Sequence, residues 1–274
     1  MIYYKTTHEI ELIRESCIVV SKVLGLIGTL LKPGITGFEL DKKAEELIRD
    51  YKGVPGFKGY NNFPATLCIS PNEEVVHGLP NKTELKDGDI VSIDCGCLLN
   101  GYYGDAAYTF AIGDVEDSII DMLSVTNESL YKGIEKATVG SRLTSISSAI
   151  QKYVEQENSY YVVRELVGHG IGRKLHEAPE VPNFGKKGKG LKMKSGLVIA
   201  IEPMVNKGSQ RIVNGSDGWT IFSEDRSPSA HFEHTVAVRE QRADILSTQK
   251  YIDAAIENNP NIKKISRKKA IFAD

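Results

Sequence analysis

Apolar residues recur every three or four positions at Ile10, Ile13, Cys17, Val20, Leu24, Ile27 and Leu31, the spacing of one buried helix face. Thr6-x-x-Glu9 opens this run as a capping box, and Pro33-Gly34 stops it. Thr36-x-x-Glu39 opens a second helix with Leu40, Ala44, Leu47, Ile48 and Tyr51 inside, ended by Gly53 and Pro55. The plan then returns. Ile119, Leu123, Leu130 and Ile134 mark a long helix, Gly140-Ser141 breaks it, and Leu143, Ile146, Ile150, Tyr153 and Val154 mark a shorter one. Laid over each other, Leu40, Ala44, Leu47 and Ile48 fall on Ile146, Ile150, Tyr153 and Val154. Apolar periodicity alone can produce such a match, and so can an internal duplication; a duplication predicts that both halves contribute to one site.

Elsewhere the period is two. An aromatic loop over residues 57–64 leads to a strand over 65–70, and Pro71-Asn72 turns the chain toward Val75-Val76-His77-Gly78-Leu79-Pro80. Residues 90–110 predict a hairpin, because Asn100-Gly101 is a strong two-residue turn signal flanked by β-prone residues. Leu99 then faces Tyr102 and Gly96 faces Asp105, so Asp94 and Asp105 project from one face as diagonal neighbours. Residues 160–167 predict a strand running into Gly168-His169-Gly170, and residues 196–204 an apolar strand ending at Glu202-Pro203. The last strand, residues 231–238, puts Glu233 on the face of Thr235 and Ala237, with His234 and Val236 on the other.

With 274 residues and 41% hydrophobic content, the chain can bury a sizeable core as one large domain or two small ones. The formal charge of −2 is spread along most of the chain and asks for neither nucleic acid nor membrane. Cys17, Cys68, Cys95 and Cys97 show no CxxC spacing and read as free thiols in a reducing compartment. The N-terminus lacks a signal-peptide pattern and no stretch reaches the length of a membrane span, which predicts a soluble cytoplasmic protein.

Two aspartates brought together in a sheet can face water, share a proton as an acid/base pair, or hold a divalent cation, with Gly96 leaving room beside them. A lone His77 before a Gly/Pro turn reads as structural by default, although it directly precedes the hairpin. Around His169 there is neither a Gly-Lys-Ser/Thr run nor a dinucleotide fingerprint, so the glycines read as giving the imidazole an open approach to a ligand; His176 is close enough to share the site. Glu202 and Glu233 complete a set with Asp94, Asp105 and His169. Its mostly hard oxygen donors carry a formal charge of about −4, which two divalent ions balance, and the absence of cysteine argues against structural zinc. Co²⁺, Mn²⁺, Fe²⁺ or a catalytic Zn²⁺ pair suits the donors.

HGLP, IDCGCLLNGYYGD, GHGIGRKLHEAP, AIEPM, DGWT and FEHTVAV resemble, in order and spacing, the motifs of type I methionine aminopeptidases, nearly throughout residues 1–238. The resemblance implies an α+β pita-bread fold: two pseudo-symmetric α/β halves around a central antiparallel sheet, helices outside, as one catalytic domain over 1–240 with an extension over 241–274. It implies release of initiator methionine from nascent polypeptides with a small second residue, by a hydroxide shared between two divalent metals. Asp94 would chelate one metal, His169 and Glu202 the other, while Asp105 and Glu233 bridge. Glu202 would relay a proton, His176 would serve the oxyanion, and His77 the expelled amide nitrogen. Tyr60, Phe63, Cys68, Leu175 and Trp219 would line the methionine pocket; Leu175 replaces a phenylalanine of some members, and Leu166 a frequent aromatic. The chain is expected to act as a monomer. Lys263, Lys264, Arg267, Lys268 and Lys269 read either as a solvated end or as a contact to ribosomal RNA. An X-Pro peptidase of the same fold would share the five ligands but usually carries an extra N-terminal domain. A non-catalytic binding relative would normally have lost ligands, and all five are present.

Overall fold

The computed structural model describes residues 1–265. Both capping boxes form: Thr6 and Glu9 close the start of α1 (Thr7–Leu30), Thr36 and Glu39 that of α2 (Gly37–Asp50). In the second half α3 (Asp117–Ile134) packs on α4 (Thr144–Gln151), which runs into a π-helical turn, Lys152–Glu157. A continuous core built from helices and sheets of both halves lies between these layers.

The hairpin has the predicted register. Ile90–Leu99 pairs with Tyr102–Ala111, Leu99 facing Tyr102 and Gly96 facing Asp105, around a turn in which Asn100 and Gly101 adopt φ of 52° and 79°. α1 lies across it so closely that a Cβ on Gly104 would sit 2.4 Å from the Cys17 backbone nitrogen. Gly96 departs from expectation, since the space beside it is filled by Phe57, whose Cε1 would be 2.6 Å from an added Cβ.

The other half supplies an interrupted antiparallel ladder. Val198–Ile201 pairs with His234–Ala237 in a five-stranded sheet, and Met204–Asn206 pairs with Ser229–His231 in a three-stranded one. Ile201 faces His234 and Met204 faces His231, so the same register carried across the gap sets Glu202 opposite Glu233. Pro203 has no N–H to give the ladder, and the Glu233 N–H donates instead to Ala107 O of the hairpin at 2.9 Å. The single strand expected over 231–238 is therefore two, belonging to different sheets. The strand expected over 160–167 shrinks to Tyr161–Val162 for a related reason: the chain leaves the three-stranded sheet after Val163 and enters the five-stranded one at Gly168.

Beyond residue 240, α5 (Lys250–Asn258) packs on α1 across Gly25, where an added Cβ would lie 2.6 Å from Tyr251 Cβ. Asn259 Nδ2 donates to Gly28 O at 2.8 Å and Leu31 O at 2.7 Å, capping the end of α1. Lys263 is engaged by Asp117 at 3.0 Å and Lys264 by Glu257 at 3.5 Å; Arg267, Lys268 and Lys269 lie outside the described residues. Among the described residues no helix is long and apolar enough to cross a membrane, and Cys17, Cys68, Cys95 and Cys97 are all free and buried. Gly104→Ala is expected to lower stability by about 2 kcal/mol or more, because the methyl meets helix backbone that cannot step aside. A urea midpoint equal to wild type would contradict that close docking of α1.

Candidate metal centre

The hairpin and the interrupted ladder meet along one seam. Thr109 Oγ1 accepts from His231 N at 2.9 Å and donates to His231 O at 2.8 Å. Glu233 N donates to Ala107 O, and Thr235 Oγ1 donates to Asp105 O at 2.8 Å and accepts from Asp105 N at 3.3 Å. Residues 105, 107 and 109 thus lie against 235, 233 and 231, and this seam brings the acids of the two halves together. Ser92 supports it through Thr109 at 2.9 Å; Thr109 spends its hydrogen on His231 O, so Ser92 is the donor.

Asp94, Asp105, His169, Glu202 and Glu233 all line one cavity of about 220 Å³, together with His77, His176, Tyr60, Phe63, Cys68, Leu175 and Trp219. Every expected ligand, catalytic and pocket residue lines it. Asp105 and Glu233 form the buried floor; Asp94, His169 and Glu202 are half-buried above it, and His77 and His176 are exposed at the mouth. Asp105, His169 and Glu233 each present a donor atom, all within 4.8 Å of one another. His169 Nε2 lies 3.6 Å from Glu202 Oε1 and 3.9 Å from Asp105 Oδ2. Its Nδ1 lies 2.9 Å from Gly170 O, which can only accept, so Nδ1 carries the hydrogen and Nε2 offers a lone pair to the acids.

No lysine or arginine lines the cavity among the described residues. Burial pushes the Asp94 carboxyl up to about 7 and that of Glu202 up to about 8. Burial and then Asp94 hold the Asp105 carboxyl well above the usual carboxylate range, and burial and then Asp105 do the same to Glu233. Burial, with His176 adjacent, holds His169 down at about 3, a neutral imidazole ready to ligate. Asp94 Oδ1, Asp105 Oδ1, Glu233 Oε1 and His231 Nε2 are buried without a hydrogen-bond partner. Orphaned oxygens without countercharge are what a divalent cation satisfies, so the residues present fit a metal pair.

The glycines around His169 act otherwise than expected. Cβ atoms on Gly168 and Gly170 would lie 2.4 Å from Ala200 O and Ala178 O, so these glycines let a central strand fit between crowded neighbours. His77 has φ of 60°, a left-handed conformation rare outside glycine, which turns its ring to the cavity. His176 Nδ1 lies 3.0 Å from Tyr60 Oη, and the adjoining Glu177 is held by Lys5 Nζ at 2.6 Å in a buried pair.

Phe63, Cys68 and Leu175 form an apolar wall with Tyr60 and Trp219, Phe63 meeting Trp219 edge-on at 5.1 Å. Asp217 accepts from the Trp219 and Thr220 backbone N–H groups and so fixes the indole's turn. Phe57 and His231, not anticipated from sequence, also line the cavity. The signal for His231 in the sequence was alternation: in an unbroken strand over 231–238, His231, two positions before Glu233, would share that residue's face.

Known proteins lead to the same grouping. Metallopeptidase family M24 matches residues 11–240. A methionine aminopeptidase of Clostridium perfringens is 52% identical over 247 residues, spanning 90% of this chain and 99% of that protein. Methionine aminopeptidase 1 of Bacillus subtilis is 49% identical over 247 residues, with 90% and 99% covered. The crystal structure of the Thermotoga maritima methionine aminopeptidase superposes with a TM-score of 0.89 at 41% identity, covering 90% of this chain and 100% of that one. The paired halves are those of the pita-bread fold that the motifs implied. This chain belongs to metallopeptidase family M24 and, within it, to the methionine aminopeptidases.

Proposed function

We propose that the chain removes N-terminal methionine from peptides and nascent polypeptides with a small second residue, acting in the cytoplasm as a monomer. Asp94, Asp105, His169, Glu202 and Glu233 would hold two divalent cations. What supports this is the convergence of four carboxyl groups on one cavity that, among the described residues, no lysine or arginine lines. Asp105 and Glu233, deepest and central, would be shared; Asp94 would complete one cation's shell, His169 and Glu202 the other's. The oxygen-rich set with one imidazole suits Mn²⁺, Fe²⁺, Co²⁺ or catalytic Zn²⁺. When bound, such a pair supplies Lewis acidity at the scissile carbonyl and acidifies the attacking water.

The chain's own groups do the rest. Glu202, lining the cavity, can take a proton from that water and pass it to the leaving amine. Tyr60 Oη donating to His176 Nδ1 would leave His176 Nε2–H free to steady the developing oxyanion. His77 at the mouth would face the expelled amide nitrogen. Tyr60, Phe63, Cys68, Leu175 and Trp219 offer a thioether an apolar slot with aromatic edges, backed by Phe57. The five basic residues of the tail, Lys263 to Lys269, are a further proposed contact, to ribosomal RNA.

The direct assay is methionine release from Met-Ala-Ser, with Pro-Ala-Ser and Ala-Pro-Ala as controls, after chelation and metal add-back. Activity on the first alone, lost on chelation and restored by metal, is expected; cleavage of a control, or full activity after chelation, would contradict the reading. In the same assay His176→Ala should lower kcat by about 100-fold or more while both metal equivalents remain bound. An equal loss of metal would place His176 among the ligands.

Chelated protein should also respond to pH in a defined sense. The folded carboxyls keep protons that the unfolded chain releases above about pH 4. Their contribution to stability is therefore present at low pH and is lost as pH rises toward the values of about 7 for Asp94 and about 8 for Glu202. The melting temperature of chelated protein should fall between about pH 5 and pH 8, and metal addition should restore it with release of protons. A flat profile with no proton release would contradict the assignment of these acids.

A further inference from the structure

His231 ends the strand Ser229–His231, is 1% exposed, and has its backbone held on both sides by the Thr109 hydroxyl. Its ring lines the cavity, with Nε2 buried, unpartnered and 3.5 Å from Glu202 Oε2. His169 Nε2 faces the other oxygen of that carboxylate, Oε1, at 3.6 Å. One carboxylate thus stands between two imidazoles, but the two are chemically different. His169 has committed its hydrogen to Gly170 O, so its Nε2 faces Glu202 as a lone pair, which suits a ligand once the acid is ionised and a cation lies between them. His231 Nε2 faces an oxygen on the opposite side. Against the ionised carboxylate that a cation requires, a bare nitrogen there would repel, whereas an N–H would be attracted and would satisfy the one orphaned nitrogen of the site.

We propose that His231 is a positioning residue for Glu202: its Nε2–H donates to Oε2 and fixes the carboxylate so that Oε1 is presented toward His169 and the cation site. The contact is loose at 3.5 Å, and engagement of Oε1 would tighten it, as hydrogen bonds of loaded sites commonly do. A carboxylate that must both ligate and carry a proton gains from this anchor, because the two oxygens then cannot exchange roles. The inference rests on the reading of Glu202 as ligand and proton carrier given above. It makes His231 neither a ligand nor a group in contact with substrate.

The test uses the full chain with His231→Leu and His231→Gln, read by titration calorimetry of Mn²⁺ and by steady-state kinetics on Met-Ala-Ser. Leucine removes the donor; glutamine supplies an amide N–H of similar reach without an aromatic nitrogen. His231→Leu should bind both metal equivalents with KM within about threefold of wild type but kcat lower by about 10–100-fold, and His231→Gln should recover most of that loss. Wild-type kcat in His231→Leu would overturn the proposal. So would loss of one metal equivalent in both variants, which would make His231 a ligand. Should His231→Leu fail to fold, ¹⁵N spectra of histidine-labelled wild type decide the matter: a protonated Nε2 on His231 supports the anchor, and a bare Nε2 overturns it. Metal-independent activity, or none, in the wild type would instead refute the proposed function, a separately readable failure.

Discussion

Four carboxyl groups drawn into one small cavity that no described lysine or arginine lines repel each other when ionised and lose hydration, and the chain folds around that liability. The repulsion can be relieved in two ways. Without metal the acids keep their protons, as the raised values of Asp94, Asp105, Glu202 and Glu233 indicate; with cations present the protons leave and the same oxygens become ligands. The apolar core packed against the two strand pairs opposes the acids swinging apart into water.

The fold meets this constraint by giving each half an antiparallel strand pair that carries two acids. In the first half a regular hairpin sets Asp94 and Asp105 diagonally on one face. In the second the ladder opens where Glu202 and Glu233 oppose each other, and the freed Glu233 N–H goes to Ala107 across the seam. The hydroxyls of Thr109 and Thr235 each bond a backbone N–H and a backbone C=O across the interface, fixing the distance between the halves at the site. Depth then separates tasks. Asp105 and Glu233 lie buried at the floor, while the exposed histidines His77 and His176 stand at the mouth beside the apolar wall.

Much of this was legible in residue order. Asn100-Gly101 specified the hairpin register, and the two Thr-x-x-Glu boxes specified the helix starts, because both signals act over a few residues. What escaped depended on distant partners. Strand breaks at Glu202-Pro203 and Phe232-Glu233 come from a switch between sheets, and the glycines at 168 and 170 answer crowding by Ala200 and Ala178. Phe57 takes the room beside Gly96 because of how its loop folds back, which no local pattern announces. His231 is the instructive case: strand alternation put it on the face of Glu233, yet only the seam to Thr109 gives that placement a consequence.

Anomalous diffraction from crystals grown with Mn²⁺ would locate the cations within the cavity. Two peaks within the cavity are expected, each within about 2.0–2.6 Å of carboxylate oxygens, with Asp105 and Glu233 reaching both and His169 Nε2 reaching one. A cavity without peaks at saturating Mn²⁺, or peaks bound to other residues, would contradict the account.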